Sequence, residues 1–193
     1  MGTSRAEALP LSGGGLVRQV CESEQALLAR ARQGESGAFE QLYLEHRDQV
    51  YALCLNLCGD REEAQDLLQE TFVRAYRGLR GFAGRAQFST WLHRIAVNLW
   101  RDWVRRQRRL SALPPPAGPA DPGAPETADQ VRTVLRRLRP HHRLVLSLRY
   151  TQALSYQEMA ELLNWSLPRV KVCLHRARRA FKDAYLRAEE TEL

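Results

Sequence analysis

Residues 155–181 read SYQEMAELLNWSLPRVKVCLHRARRAF. Ser155 followed three residues later by Glu158 is a capping box, in which hydroxyl and carboxylate each satisfy a free amide at a helix start. Met159, Leu162 and Leu163 then mark the apolar face of a short helix beginning near Tyr156. Asn164 suits the left-handed conformation that ends a helix, Ser166 suits the cap of the next, and Pro168 fits a first turn, where no amide donor is missed. In the helix that follows, Val170, Leu174, Ala177 and Phe181 recur at helical spacing and face a core. That turns Arg169, Lys171, Val172, His175, Arg176, Arg179 and Lys182 outward. Two short helices meeting at a sharp corner, the second rich in cations, form the pattern of a helix-turn-helix that reads DNA in the major groove. A solvated face that only confers solubility is the alternative, but such faces mix signs, and no acid occurs between Ser166 and Lys182.

The chain has 193 residues, 44% of them hydrophobic, enough for one domain or two small ones. Its formal net charge of +7 favours polyanionic partners without separating nucleic acid from an anionic membrane. The helix-turn-helix pattern decides for nucleic acid. No apolar run is long enough to span a bilayer, and the opening MGTSRAEALPLSGGG lacks the apolar centre of a signal peptide. A cytoplasmic protein without membrane insertion is therefore expected, with residues 1–22 as a flexible tail.

Residues 111–125, SALPPPAGPADPGAP, hold most of the prolines and can form neither helix nor central strand. They read as an interdomain linker, taken as 110–126, whose small residues leave the flanking halves without a fixed interface or shared pocket. Before it, every periodic segment scores as helix: Glu22 to Arg32; Ser36 to Cys58 with Phe39, Leu42, Tyr43, Tyr51 and Leu53 inward; Asp60 to about Leu79 with Ala64, Leu67, Leu68, Phe72 and Tyr76 inward; and Ser89 to Arg109. After it, Val131, Val134, Leu135 and Leu138 mark one helix, Pro140 to Tyr150 another, and the helix-turn-helix completes a four-helix unit. The predicted fold is all-α: a helical domain over 23–109 and a second over 127–187, followed by a C-terminal tail from 188.

The helix from Ser89 carries a second surface. Leu92, Ile95, Ala96, Leu99 and Trp103 form its core face, while Arg94, Asn98, Arg101, Arg105 and Arg108 fall on one stripe that can track a phosphate backbone. Ahead of it lie Phe82, Arg85, Gln87 and Phe88, with Trp91 nearby, and aromatics beside arginines suit unpaired bases. For Phe88 and Trp91 closure of the core is the competing reading. The helix from Asp60 is instead acidic, with Glu62, Glu63, Asp66 and Glu70, which DNA repels and a protein partner suits. Leu68, Gln69, Phe72 and Val73 are its anchors; a merely solvated face is the alternative.

Cys54 and Cys58 share a helical line with Val50 and Leu57 and read as core thiols, a zinc or redox role needing further ligands. His141 and His142 have no Cys or carboxylate beside them in sequence, so surface or capping roles are expected. No cofactor, metal set, nucleophile–base pair or phosphate-binding glycine loop is evident, and no enzymatic activity is expected.

Taken together, DREEAQDLLQETFVRAYRGL (60–79), FSTWLHRIAVNLWRDWVRR (88–106) and LRYTQALSYQEMAELL (148–163) with its cationic helix closely resemble bacterial sigma-70 family factors of the extracytoplasmic-function type. The match covers about Glu22 to Arg187, with a linker where that group joins its regions two and four. The resemblance implies a non-catalytic subunit that directs promoter-specific initiation, partnered by core RNA polymerase through the β′ clamp helices and the β flap, by promoter DNA and by an anti-sigma factor. It implies that Asp66, Gln69, Glu70 and Phe72 dock on the clamp. The segment Phe82 to Phe88 with Trp91, Arg94, Asn98, Arg101 and Arg105 would hold the melted minus-ten strand, and Arg149, Arg169, Lys171, Val172, His175, Arg176 and Arg179 would meet the minus-thirty-five element. Where the family commonly begins the reading helix with Gly-Thr-Val-Lys-Ser-Arg, this chain has Pro168-Arg169-Val170-Lys171-Val172-Cys173. A stand-alone helix-turn-helix regulator and an interaction module that sequesters another regulator are the competing functions.

Overall fold

The computed structural model describes residues 23–84, 86–110 and 126–192. These form α1 (Glu24–Arg32), α2 (Ser36–Cys58), α3 (Arg61–Gly78), α4 (Phe88–Leu110), α5 (Glu126–Arg137), α6 (Pro140–Leu146), α7 (Tyr156–Leu163) and α8 (Leu167–Glu192), with no strand among the described residues. A 3-10 turn at Leu79–Gly81 extends α3, and a π-type turn at Ser147–Thr151 extends α6. The helix starts follow their caps: Ser23 Oγ accepts from the Ala26 amide at 3.3 Å and an Asp60 carboxylate oxygen from the Glu63 amide at 3.1 Å. Gly59 closes α2 with φ +76°, its amide donating to Leu55 O at 2.8 Å.

α1 to α4 pack around Leu27, Leu42, Leu53, Leu57, Leu79, Phe88 and Leu92; α5 to α8 pack around Leu144, Leu148, Met159, Val170 and Leu174. The inward faces differ from expectation at a few places. Tyr76 is 50% exposed, because the groove beside it is open, and Val131 is also exposed. On α4 the buried set includes His93, Val97 and Trp100, since this helix is covered from two sides. Residues 188–192 continue α8 as helix rather than forming a separate tail, with Ala188 buried. The expected tail 1–22 and linker interior lie outside the described residues.

The largest departure concerns the two halves. They are in contact: α2 packs on α5, α6 and the π-type turn, and α4 packs on α7. Arg143 donates to Leu57 O at 2.7 Å, Leu135 O at 3.1 Å and Arg136 O at 2.8 Å. Arg136 donates to Gly59 O at 3.0 Å, the Gln152 amide to Gln49 O at 3.1 Å, and the Asn56 amide to Thr151 Oγ1 at 2.8 Å. Five of these six bonds end on carbonyls: Leu57 O and Gly59 O at the end of α2, where helical carbonyls lack helical partners, Gln49 O within α2, and Leu135 O and Arg136 O on α5 in the same half as Arg143. The linker composition had left this interface unforeseen.

Candidate nucleic-acid and partner interfaces

The helix-turn-helix forms locally as its residues dictate. Ser155 Oγ accepts from the Glu158 amide at 3.2 Å and the Glu158 carboxylate accepts from the Ser155 amide at 2.7 Å, a complete capping box. These bonds to an ionised acid hold the Glu158 carboxyl below its ordinary pKa. Asn164 takes φ 55°, ψ 48°, and the Trp165 amide returns to Ala160 O at 2.9 Å. Val170, Leu174 and Ala177 are buried against α6 and α7, which points Arg169, Lys171, Val172, His175, Arg176 and Arg179 into solvent on one face of α8. The Arg169 guanidinium lies 4.3 Å over the Trp165 ring. Arg149 is placed differently from the others: half-buried, it donates to Leu154 O at 2.8 Å and lies 5.2 Å over the Tyr156 ring, so it braces the entry to α7.

On α4, Arg94, Asn98 and Arg105 are exposed and Arg101 is half-buried. Arg94 reaches across to Glu161 O on α7 at 3.5 Å, and Arg105 is ion-paired with Asp102. Burial, then the charges of Arg105 and Arg169, lower the Arg101 pKa, which places the stripe of α4 beside the start of α8. The aromatics ahead of α4 face inward, against the expectation of bases stacked on them. Phe82 and Phe88 are buried, their rings 5.8 Å apart, and Trp91 lies 4.9 Å from Phe82, tilted by 33°, while His46 meets Phe88 edge-on at 5.2 Å. Closing the core outweighs display here because each such ring buries a large apolar area. Gln87 is exposed, and Arg85 lies outside the described residues.

Between α2 and α3 runs an open groove of about 1010 Å³, lined by Phe39, Tyr43, Tyr51, Leu68, Gln69, Phe72 and Tyr76 among others. Gln69 and Asp66 are exposed, and Glu70 is half-buried in an ion pair with Arg74 at 2.7 Å. Phe72 is 5% exposed and belongs to the groove wall rather than projecting as an anchor, with Tyr43 edge-on at 4.8 Å and Phe39 at 6.4 Å. Tyr76, which the sequence placed inward, supplies the projecting aromatic. Its position at the edge of the apolar stripe of α3 was the only signal.

The surfaces brought together are thus an aromatic groove with charges of both signs at its edge, a cationic helix and a helix-turn-helix. The sequence matches the Sigma-70 region 2 family over residues 42–110 and the Sigma-70, region 4 family over residues 128–181. It is 33% identical over 166 residues to RNA polymerase sigma factor YlaC of Bacillus subtilis, covering 80% of this chain and 96% of that protein. It is 32% identical over 173 residues to ECF RNA polymerase sigma factor SigW of the same bacterium, covering 80% of this chain and 92% of that protein. The chain belongs to the extracytoplasmic-function sigma factors. This sigma factor is accordingly a transcription initiation factor that directs promoter-specific transcription. Its fold matches CnrH, solved in complex with the cytosolic domain of CnrY, at TM-score 0.66 and 28% identity over 86% of this chain and 99% of that one. It also shares the fold of RpoE from Bartonella quintana, solved in complex with the anti-sigma factor NepR, at TM-score 0.67 and 20% identity over 76% of this chain and 95% of that one. No helix among the described residues of this sigma factor is long and apolar enough to cross a membrane.

Proposed function

We propose that residues 23–109 and 127–187 act as two separable binding units of a promoter-specificity subunit. The groove between α2 and α3, with Asp66, Gln69, Glu70 and Tyr76 at its edge, takes the β′ clamp helices of core RNA polymerase. Arg94, Asn98, Arg101 and Arg105 of α4, with Gln87 and Arg85 ahead of them, hold the unpaired minus-ten strand. The exposed face of α8 reads the minus-thirty-five element, and an anti-sigma protein is the expected inhibitor. The exposed face of α8 from Arg169 to Arg179, where no acid occurs, carries this reading.

One consequence follows from distance. Elements 25 base pairs apart are separated by about 85 Å of duplex, whereas Arg94 of α4 is within 3.5 Å of Glu161 of α7. The two DNA surfaces cannot serve both elements in this arrangement, so the halves part when the promoter is bound. Run-off transcription with core polymerase and a set of promoter fragments tests the reading: transcripts starting at defined sites support it. A chain that yields none, yet shifts duplex DNA without polymerase, is an independent regulator instead.

A further inference from the structure

His141 and His142, which the sequence left as surface or capping residues for want of a nearby ligand, have one in space. α6 packs across α8, and this brings the Cys173 thiol to them: one ligand atom from each of the three lies within 4.8 Å of the other two. The imidazole rings are 4.4 Å apart at their centroids and 69° to each other. All three residues line a cleft of about 440 Å³ at the start of α6. We propose that His141, His142 and Cys173 form a binding site for a Zn2+-class transition-metal ion that ties the start of α6 to α8.

The donor set selects the ion. Two imidazole nitrogens and one thiolate suit a borderline-soft cation such as Zn2+ and offer nothing to Mg2+ or Ca2+, which take oxygen ligands. In a tetrahedral site with bonds of about 2.0–2.3 Å the ligand atoms stand roughly 3.3–3.6 Å apart. Side-chain rotations moving the atoms by about 1 Å close the present spacing to that value. His142 and Cys173 are half-buried and His141 is exposed, which leaves the fourth position to water. On binding, the thiol proton passes to solvent and the sulfur lone pair forms the bond, so a dication adds only one net charge. That matters because Arg139, Arg169 and Arg176 also line the cleft; without the thiolate they would exclude a metal ion. The cleft borders the proposed DNA-reading face, since Arg169, Val172 and Arg176 line it as well.

The test uses the full chain, reduced and stripped with chelator, titrated with Co2+ as a spectroscopic stand-in. The expected result is one equivalent bound, with a thiolate-to-cobalt charge-transfer band in the near ultraviolet and intense visible bands of a four-coordinate ion, displaced by Zn2+ and not by Mg2+. Cys173→Ser removes the charge-transfer band, and the double variant His141→Ala, His142→Ala lowers affinity about tenfold or more. Cys54→Ala and Cys58→Ala leave both readings unchanged. Zinc-edge X-ray absorption on the unaltered protein, which needs no variant to fold, should show one sulfur and two nitrogens in the first shell. A folded chain without the band, a band that survives Cys173→Ser, or a shell of oxygens alone overturns the proposal. Run-off transcription by the stripped protein tests the promoter role separately.

Discussion

α4 and α8 are both long, amphipathic and arginine-rich, yet they meet their surroundings in opposite ways. The outer face of α8 is exposed from Arg169 to Arg179, and no acid occurs in the sequence between Ser166 and Lys182. The cations of α4 are engaged: Arg94 on a carbonyl of α7, Arg105 on Asp102, Arg101 half-buried beside Arg169. One helix is ready for a ligand as it stands; the other is partly covered by the second half of its own chain. The difference teaches that cationic periodicity locates a binding face but says nothing of what occupies it meanwhile.

The largest expected effect breaks the open side of this comparison. Lys171→Glu with Arg176→Glu reverses two exposed cations, and with each DNA contact contributing roughly 1–3 kcal/mol, transcription from a minus-thirty-five-dependent promoter should fall about a hundredfold or more. Affinity for core polymerase, measured by fluorescence anisotropy, should stay unchanged. Next comes the clamp that holds the covered side. Arg143→Leu strips three carbonyls of a charged donor, Leu57 O across the contact and Leu135 O and Arg136 O on α5, and should lower stability by about 2–4 kcal/mol, read by urea unfolding. It should also increase the small-angle scattering radius of the chain by loosening the halves.

A third prediction uses pH. His93 is 1% exposed on α4, and burial first, then the nearby His46, pushes its pKa down to about 4, partly opposed by Gln152 from the other half. The unfolded imidazole titrates near 6.5 and binds a proton before the folded one does. Stability is therefore complete above pH 6.5 and declines by about 3 kcal/mol as pH falls toward 4. His93→Phe should flatten that part of the pH–stability curve. The smallest effect is local: Ser155→Ala removes the hydroxyl half of the capping box at the start of α7 and should cost about 1 kcal/mol in thermal unfolding, with little change in the contact between halves.

Much of the helical scaffold was legible because it is written in side chains. The caps at Asp60 and Ser155, the left-handed Asn164 and the buried line Val170, Leu174 and Ala177 all follow from local chemistry and periodicity. What escaped is written in the backbone or in space. The contact between halves uses Leu57 O, Gly59 O and Gln49 O, which every residue possesses and no composition betrays. The inward turn of Phe82 and Phe88 depends on a core wall supplied by His46 and Arg32 from distant helices. Likewise Cys173 meets His141 and His142 only because two helices cross.

The central claim is that the halves, closed here, part when a promoter is engaged. It is tested most directly by locking them. Asn56 and Thr151 bond across the contact through short side chains and belong to none of the proposed polymerase or DNA surfaces. An Asn56→Cys, Thr151→Cys pair, joined by oxidation or a short dithiol reagent, should abolish run-off transcription while locked and recover it on reduction, with each single variant active throughout. A locked chain that initiates as well as the reduced one would contradict the account.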